Sequence, residues 1–124
     1  MEAQKIFNTV VNHLFTQRVR AVDAEGNCVH RTETGRSCAV GCLITDEEYD
    51  SAMDTSRQTN VEWLFKIGLL PERLVPHIKL LSDLQSVHDD TSYLIPESDE
   101  FDLPHLGVAL AEVAHKYGLN YQPR

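Results

Sequence analysis

The chain has 124 residues, of which 42% are hydrophobic and 24% are charged. That size and balance predict one domain over residues 1–124, and they exclude a collagen-like or low-complexity chain. Eleven Lys and Arg face 19 Asp and Glu, so the formal net charge is −8. We therefore expect no general nucleic-acid-binding face and no attraction to anionic membranes. Basic protein partners fit this charge better.

Three further features predict where the protein works. The cysteine count is odd, which argues against a full set of disulfides. The first residues lack a basic stretch followed by an apolar run, so no secretory leader is expected. No segment approaches the ~18–20 apolar residues of a membrane span. We therefore expect a reducing, cytoplasmic location without a membrane anchor.

The first predicted element is a helix over residues 3–18. Its apolar side chains recur at helical spacing and form a single stripe, made of Ile6, Phe7, Val10, Val11, Leu14 and Phe15.

A β-hairpin is predicted next. Residues 23–27 have the composition of a turn, residues 28–31 of a short strand and residues 32–36 of a polar loop. Residues 38–44 form an apolar run of strand length. Gly41 inside this run indicates a bulge or a close approach of backbone.

Two capping boxes and three helical stripes follow. Thr45 with Glu48 predicts a helix over residues 46–53, ended by a polar loop at 54–58. Thr59 with Glu62 predicts a second short helix, which ends at Gly68. A third stripe runs over residues 74–88, with Pro76 in its first turn or at a break. Residues 89–102 are expected to form a loop with a short turn, and residues 104–117 a last helix. The predicted fold is α+β and mostly helical, with four or five helices packed around one β-hairpin.

Two segments resemble a family of small proteins scattered through bacterial, prophage and phage genomes. They are CAVGCLITDEEYD at residues 38–50 and LLSDLQSVHD at residues 80–89. The N-terminal helix and the strand that carries Cys28 fit the same layout. The family has no assigned activity, so the resemblance implies a phage-linked setting in a bacterial host cell and a common fold, but no chemistry.

A zinc site is one hypothesis for the cysteines. Cys28, His30, Cys38 and Cys42 offer four ligands of the kind that tetrahedral zinc takes. All four positions are even-numbered, so one hairpin register would place them on one face of the sheet. The spacing is unusual for zinc, and buried apolar cysteines are the alternative. A Cys28–Cys38 disulfide under oxidising conditions is a third possibility.

A thiol hydrolase is a second chemical hypothesis. Cys38 or Cys42 would be the nucleophile, His88 the base, and Asp89 or Asp90 the residue that orients the base. No cysteine is predicted at a helix N-terminus, where the pKa of a thiol would fall.

The main functional hypothesis rests on the acidic stretch between residues 80 and 102, which contains no Lys or Arg. We expect it to bind a basic surface of a host or defence protein and to block or modulate that protein, without catalysis; imitation of nucleic-acid charge is one way to do so. An ordinary solvated surface is the alternative, and a homo-oligomer remains open. The residues expected at this docking surface are Asp83, Asp89, Asp90, Tyr93, Glu97, Asp99, Glu100, Phe101 and Asp102.

Overall fold

A computed structural model describes residues 1–55 and 60–124. Four α-helices form its frame: α1 (Ala3–Gln17), α2 (Val61–Lys66), α3 (Ile78–Asp89) and α4 (Leu103–Lys116). Short 3-10 helices lie at Gly41–Leu43, Ser51–Asp54, Glu72–His77 and Thr91–Tyr93. None of these helices within the described residues is both long and apolar enough to cross a bilayer.

The apolar stripes of α1, α3 and α4 meet in the core. Ile6, Val10 and Leu14 of α1 are fully buried, as are Leu81 and Leu84 of α3. The predicted first helix is confirmed, since α1 ends one residue before the predicted boundary. Arg18 stops it in the left-handed region, at a φ of 65°, and its backbone N–H donates to the carbonyl of Leu14.

The predicted β-hairpin is wrong. The described residues contain no β-strand, and their extended pairs are isolated bridges such as Val22 with Cys28 and Arg31 with Ser37. The apolar run at residues 38–44 is buried, but it winds through the 3-10 helix Gly41–Leu43. The protein is therefore a small helical domain, and the α+β class with a central hairpin is corrected.

Gly41 shows why a strand cannot form there. A Cβ built on Gly41 would lie 2.1 Å from the carbonyl oxygen of His30, so backbone passes directly against backbone. The close approach predicted for this glycine is confirmed. The N–H of Gly41 donates to Cys38 Sγ at 3.2 Å, which keeps it out of any strand ladder.

Two successive turns take the place of the hairpin, and they repeat the same design nine residues apart. In the first, Asp23 N–H donates to Asn27 O at 2.8 Å and Gly26 has a φ of 84°. In the second, Thr32 N–H donates to the carbonyl of Arg36 at 2.8 Å and Gly35 has a φ of 91°. We call these the twin turns, residues 22–28 and 31–37. Hydrogen bonds within each turn hold its shape, and Gln17 and Asp54 accept from the backbone N–H groups of Ser37 and Arg31 at the ends of the second turn.

The helix predicted over residues 46–53 is also wrong. The capping box forms its hydrogen bonds, since Thr45 N–H donates to Glu48 Oε1 at 3.0 Å and Glu48 N–H donates to Thr45 Oγ1 at 3.3 Å. The chain then makes a single turn and restarts at Asp50, whose carboxylate caps Ser51–Asp54. The Thr45–Glu48 box and the Asp50 cap are therefore each followed by a short turn, and no full helix forms.

The later helices follow the predicted order with shifted boundaries. Asn60 caps α2 by accepting from Trp63 N–H at 2.9 Å, whereas the predicted cap Thr59 lies outside the described residues. Part of the loop expected at 54–58 lies there too. Pro76 falls in the 3-10 helix Glu72–His77, so α3 begins only at Ile78. This break agrees with the missing N–H of proline.

The last part of the chain follows the prediction closely. Residues 90–102 form the loop predicted from residue 89, since α3 extends to Asp89; the loop contains the 3-10 helix Thr91–Tyr93 and a bridge between Leu94 and Phe101. Helix α4 begins at Leu103, capped by the Asp102 carboxylate. The turn after it uses Gly118 at a φ of 65°, and Leu119 folds back against the core.

Candidate functional site

The four residues predicted to bind zinc lie in separate hydrogen-bonding arrangements. Cys38 is fully buried and accepts from Gly41 N–H, whereas the half-buried Cys42 thiol donates to Ala39 O at 3.1 Å. Within the described part of the chain, these residues do not form a group of three or more potential ligand atoms. The argument that they share one sheet face is wrong, because residues 1–55 and 60–124 contain no sheet.

His30 belongs instead to a buried pair with Asp54. Its Nδ1 lies 2.8 Å from Asp54 Oδ1, and its backbone N–H donates to the same oxygen at 2.7 Å. Tyr49 donates its hydroxyl to Asp54 Oδ2 at 2.6 Å. Burial alone would raise the pKa of Asp54, but the hydrogen bonds from His30 and Tyr49 outweigh it, and the pKa is lowered. Asp54 therefore stays ionised and ties the twin turns to Ser51–Asp54.

A different cluster brings together Cys28, His88 and Asp89. One potential ligand atom from each lies within 4.8 Å of the other two. His88 Nδ1 is 2.6 Å from Asp89 Oδ1, and the Arg20 guanidinium lies 3.7 Å from Cys28 Sγ. Sequence spacing could not reveal this set, because Cys28 and the His88–Asp89 pair are sixty residues apart.

The hydrogen bonds of His88 argue against metal binding at this cluster. Its Nε2 lies 3.0 Å from the N–H of Ala21, which can only donate, so Nε2 must accept. Nδ1 therefore carries the proton and donates to Asp89. A metal on Nδ1 would move that proton to Nε2 and set it against the Ala21 N–H. The nearby Arg20 adds a positive charge, so these donors do not fit a cation.

The same contacts argue against a thiol nucleophile. Burial, with the Asp89 carboxylate, raises the pKa of Cys28 to about 12. Burial also raises the pKa of Cys42 to about 12 and that of Cys38 further still. Both ring nitrogens of His88 are occupied, so it offers no free base. Asp90, the other predicted partner of the base, is exposed and caps Thr91–Tyr93. The cysteines thus remain protonated at neutral pH.

Most carboxylates of the predicted docking surface have partners inside the protein. Asp83 accepts from Lys116 Nζ at 2.8 Å and from the Tyr117 hydroxyl at 2.5 Å. Asp99 pairs with Arg20 at 2.8 Å. Asp89 accepts from His88, and Asp90 and Asp102 cap helices. These five acids therefore take part in the fold. Asp83 and Asp99 are paired with cations, whereas the exposed Asp90 accepts from the N–H and hydroxyl groups of Ser92.

The other members of that predicted set divide between core and surface. Phe101 is 1% exposed, and its ring meets the His88 ring edge to face at 6.0 Å. Tyr93 is half-buried. Glu97 and Glu100 are exposed. The exposed carboxylates of the predicted surface are thus Asp90, Glu97 and Glu100, on the loop after α3.

A cleft with an acidic lining lies between the twin turns, where the sequence predicts no docking site. Its volume is about 760 Å³, and Val22, Val29 and Tyr49 provide apolar lining. We call it the turn cleft. The acids that line it are Asp23, Glu25, Glu33 and Asp54, and among its described lining residues Arg31 is the one cation. Arg31 is already bound to Asp46 at 2.7 Å and to Ile44 O at 2.6 Å.

A signal for this cleft was present in the sequence. The stretches DAEGN at residues 23–27 and TETGR at residues 32–36 share a glycine at the same place in the turn, nine residues apart. Only the fold shows that the two turns stand beside each other and present their acids to one space.

Comparison with known proteins found no relative of this chain. No protein-family model, curated protein or solved structure matches the chain. The resemblance to small phage- and prophage-associated proteins therefore stays a prediction, and the site must be interpreted from its own geometry.

Proposed function

We propose that this protein is a non-catalytic binding protein whose partner is a host or defence protein with a basic surface. The setting we propose is the cytoplasm of a bacterial host cell, as the phage-linked resemblance implies. Binding would block or modulate the partner. A basic site of this kind is what nucleic-acid-handling proteins present, so imitation of nucleic-acid charge remains part of the proposal.

The observation that carries the proposal is the turn cleft. Asp23, Glu25, Glu33 and Asp54 line a concave space of about 760 Å³, in which Asp23 also accepts from its own turn and Asp54 from His30 and Tyr49. The cation among the described lining residues, Arg31, is paired with Asp46. A Lys or Arg side chain entering this space would meet carboxylates at its head and the valines and Tyr49 along its stem. We therefore propose the turn cleft, in place of residues 83–102, as the docking surface.

The exposed charge of Glu33 and the hydrogen bonds that hold the turns also support the turn cleft as the docking surface. Glu33 is exposed at the tip of the second turn. The His30–Asp54 pair and the internal hydrogen bonds of the turns hold the cleft in place, so little ordering is needed on binding. The thiols and His88 are committed to the fold, which favours binding over catalysis.

The test is capture of partners from nuclease-treated bacterial lysate at low and high salt, followed by affinity measurement with the purified partner. We expect retention at low salt and release at high salt. Glu33→Lys reverses one charge at the cleft and should weaken affinity roughly three- to tenfold, mainly through the association rate.

The matched control is Glu100→Lys, which makes the same charge change at an exposed position of the earlier predicted surface. It should leave affinity within about twofold. If Glu100→Lys weakens binding and Glu33→Lys does not, the partner docks on the loop after α3. If binding does not depend on salt and neither variant weakens it, the proposal that the protein binds a basic surface is wrong.

A further inference from the structure

A groove runs along the outer face of α1, where residues 120–124 fold back beside the helix. Its volume is about 340 Å³, and Phe7 and Val11 lie at its base. Tyr121 meets the Phe7 ring edge to face at 6.1 Å, which fixes the returning chain. Five carboxamide side chains line the groove: Gln4, Asn8, Asn12, Asn120 and Gln122.

Hydrogen bonds determine which way the first of these amides points. The backbone N–H of Asn120 donates to Gln4 at 2.8 Å, so the accepting atom must be Oε1. The Gln4 NH2 group then donates to Asn8 Oδ1 and to Asn120 O, both at 2.9 Å. All of the hydrogen-bonding groups of Gln4 are therefore used within the protein.

The same reasoning leaves two NH2 groups without partners. The side-chain oxygen of Asn8 accepts from Gln4. The side-chain oxygen of Asn12 accepts from the Arg124 guanidinium, which can only donate. Asn8 and Asn12 are one helical turn apart on one exposed face of α1. Their NH2 groups have no acceptor within the described residues, and both lie on the groove.

The charge of the groove is unlike that of the whole chain. Among its described lining residues none is acidic, and Arg124 contributes a positive charge. Arg124 also lies over the Phe15 ring, at 5.7 Å from the ring centre. In a protein of net charge −8, this groove offers the NH2 groups of Asn8 and Asn12 and a cation, beside the carboxamides of Asn120 and Gln122, which can donate or accept.

We propose that the groove is a binding site for a small organic oxyanion, a carboxylate or a phosphate ester. Its oxygens would accept from the NH2 groups of Asn8 and Asn12 and from Arg124, and its carbon part would rest on Tyr121. The volume lies at the small end of the range for ligand sites, about 300–1,000 Å³. The site is separate from the turn cleft and independent of the proposed partner.

The experiment is a titration of the full-length ¹⁵N-labelled protein by NMR. Sodium acetate, inorganic phosphate and acetamide are the three probes, added at constant ionic strength. We expect acetate or phosphate, or both, to shift the side-chain NH2 resonances of Asn8 and Asn12 with saturation, at a Kd on the order of millimolar. The probe with the lower Kd, acetate or phosphate, shows whether the headgroup is a carboxylate or a phosphate.

Two variants decide whether the shifts belong to this site. Asn12→Asp replaces a donor by a carboxylate beside Arg124, and it should abolish saturation at Asn8. Asn27→Asp makes the same chemical change on the first twin turn and should leave the titration unaltered. Acetamide matching acetate, shifts that never saturate, or shifts unaffected by Asn12→Asp would each overturn the proposal.

Discussion

His88 joins two distant parts of the chain through its two ring nitrogens. Nε2 accepts from the backbone of Ala21, and Nδ1 donates to Asp89. We predict that His88→Ala lowers the free energy of unfolding by about 2–4 kcal/mol, because it leaves a cavity and removes the acceptor of the buried Ala21 N–H. Urea unfolding followed by circular dichroism measures this loss.

His105→Ala is the control for that experiment. Its side chain is 68% exposed and pairs with Asp102 at 3.1 Å, so removing it should change stability by at most about 0.5 kcal/mol. Equal effects of the two substitutions would mean that the His88 contacts contribute nothing to the fold.

Gly41 is the second residue with a sharply defined role. A methyl group there would meet the carbonyl of His30, which is backbone and cannot turn aside. We predict that Gly41→Ala lowers the free energy of unfolding by about 1–3 kcal/mol, measured by the same urea titration.

Gly107→Ala provides the contrast. The new methyl group would lie 3.2 Å from the Tyr121 hydroxyl, the far end of a side chain that can shift. Inside α4 alanine is the better helix former, by up to about 1 kcal/mol, so stability should hold or rise. A Gly41→Ala protein as stable as Gly107→Ala would show that the backbone separates at little cost.

At the scale of elements, the capping box shows what the sequence could and could not predict. Thr45 and Glu48 form the hydrogen bonds that their spacing indicates. The length of the helix depended on Asp50, which starts a new cap. In α1 all the signals agreed over fifteen residues, so its prediction was accurate.

The hairpin failed for a related reason. An apolar run such as residues 38–44 signals burial, but burial is compatible with a strand or with an irregular buried segment. Contacts remote in sequence determine that residues 38–44 are irregular and not a strand. The carbonyl of His30 packs on Gly41, and the Gln85 amide oxygen accepts from Val40 N–H at 3.1 Å. For the same reason, the Cys28–His88–Asp89 cluster could not be predicted from spacing, and the repeated glycine turns did not by themselves show that they line one cleft.

Glu48 links the capping box to a second element, and this link depends on pH. Arg73 donates to both carboxylate oxygens and to the carbonyl of Leu43. The hydrogen bonds from Arg73, and then that from Thr45, lower the pKa of Glu48 to about 2. A carboxyl whose pKa is lower in the folded state stabilises the fold above its unfolded pKa, about 4.3, and loses this effect on protonation.

We therefore predict that Glu48→Gln costs about 1 kcal/mol near pH 7, a modest value because the pair is partly exposed. The stability difference from wild type should shrink below about pH 5 and vanish near pH 2. Urea unfolding at a series of pH values measures it. Glu47→Gln, at an exposed neighbour, is the control, and a difference that stays constant from pH 6 to pH 3 would contradict the assignment.

At the scale of the whole molecule, the question is whether the fold needs a metal. Buried side chains from all four α-helices form one core, with Leu14, Leu64, Leu84 and Leu110 among those with no exposed surface. The thiols of Cys38 and Cys42 are satisfied by their own neighbours, and His88 has no nitrogen to give. The apolar core and the two His–Asp pairs therefore hold the fold together.

We predict that a chelator leaves thermal unfolding unchanged and that added zinc does not raise the melting temperature, since a ligand stabilises a fold only when it binds the native state more tightly. Scanning calorimetry with excess EDTA, and then with zinc, measures both effects. A Cys28→Ser variant serves as the control, because a zinc-dependent gain that this substitution removes would place a metal at the Cys28–His88–Asp89 cluster. Near-stoichiometric zinc in the purified protein, with unfolding on chelation, would show instead that the metal rearranges His88 and that Ala21 finds another acceptor.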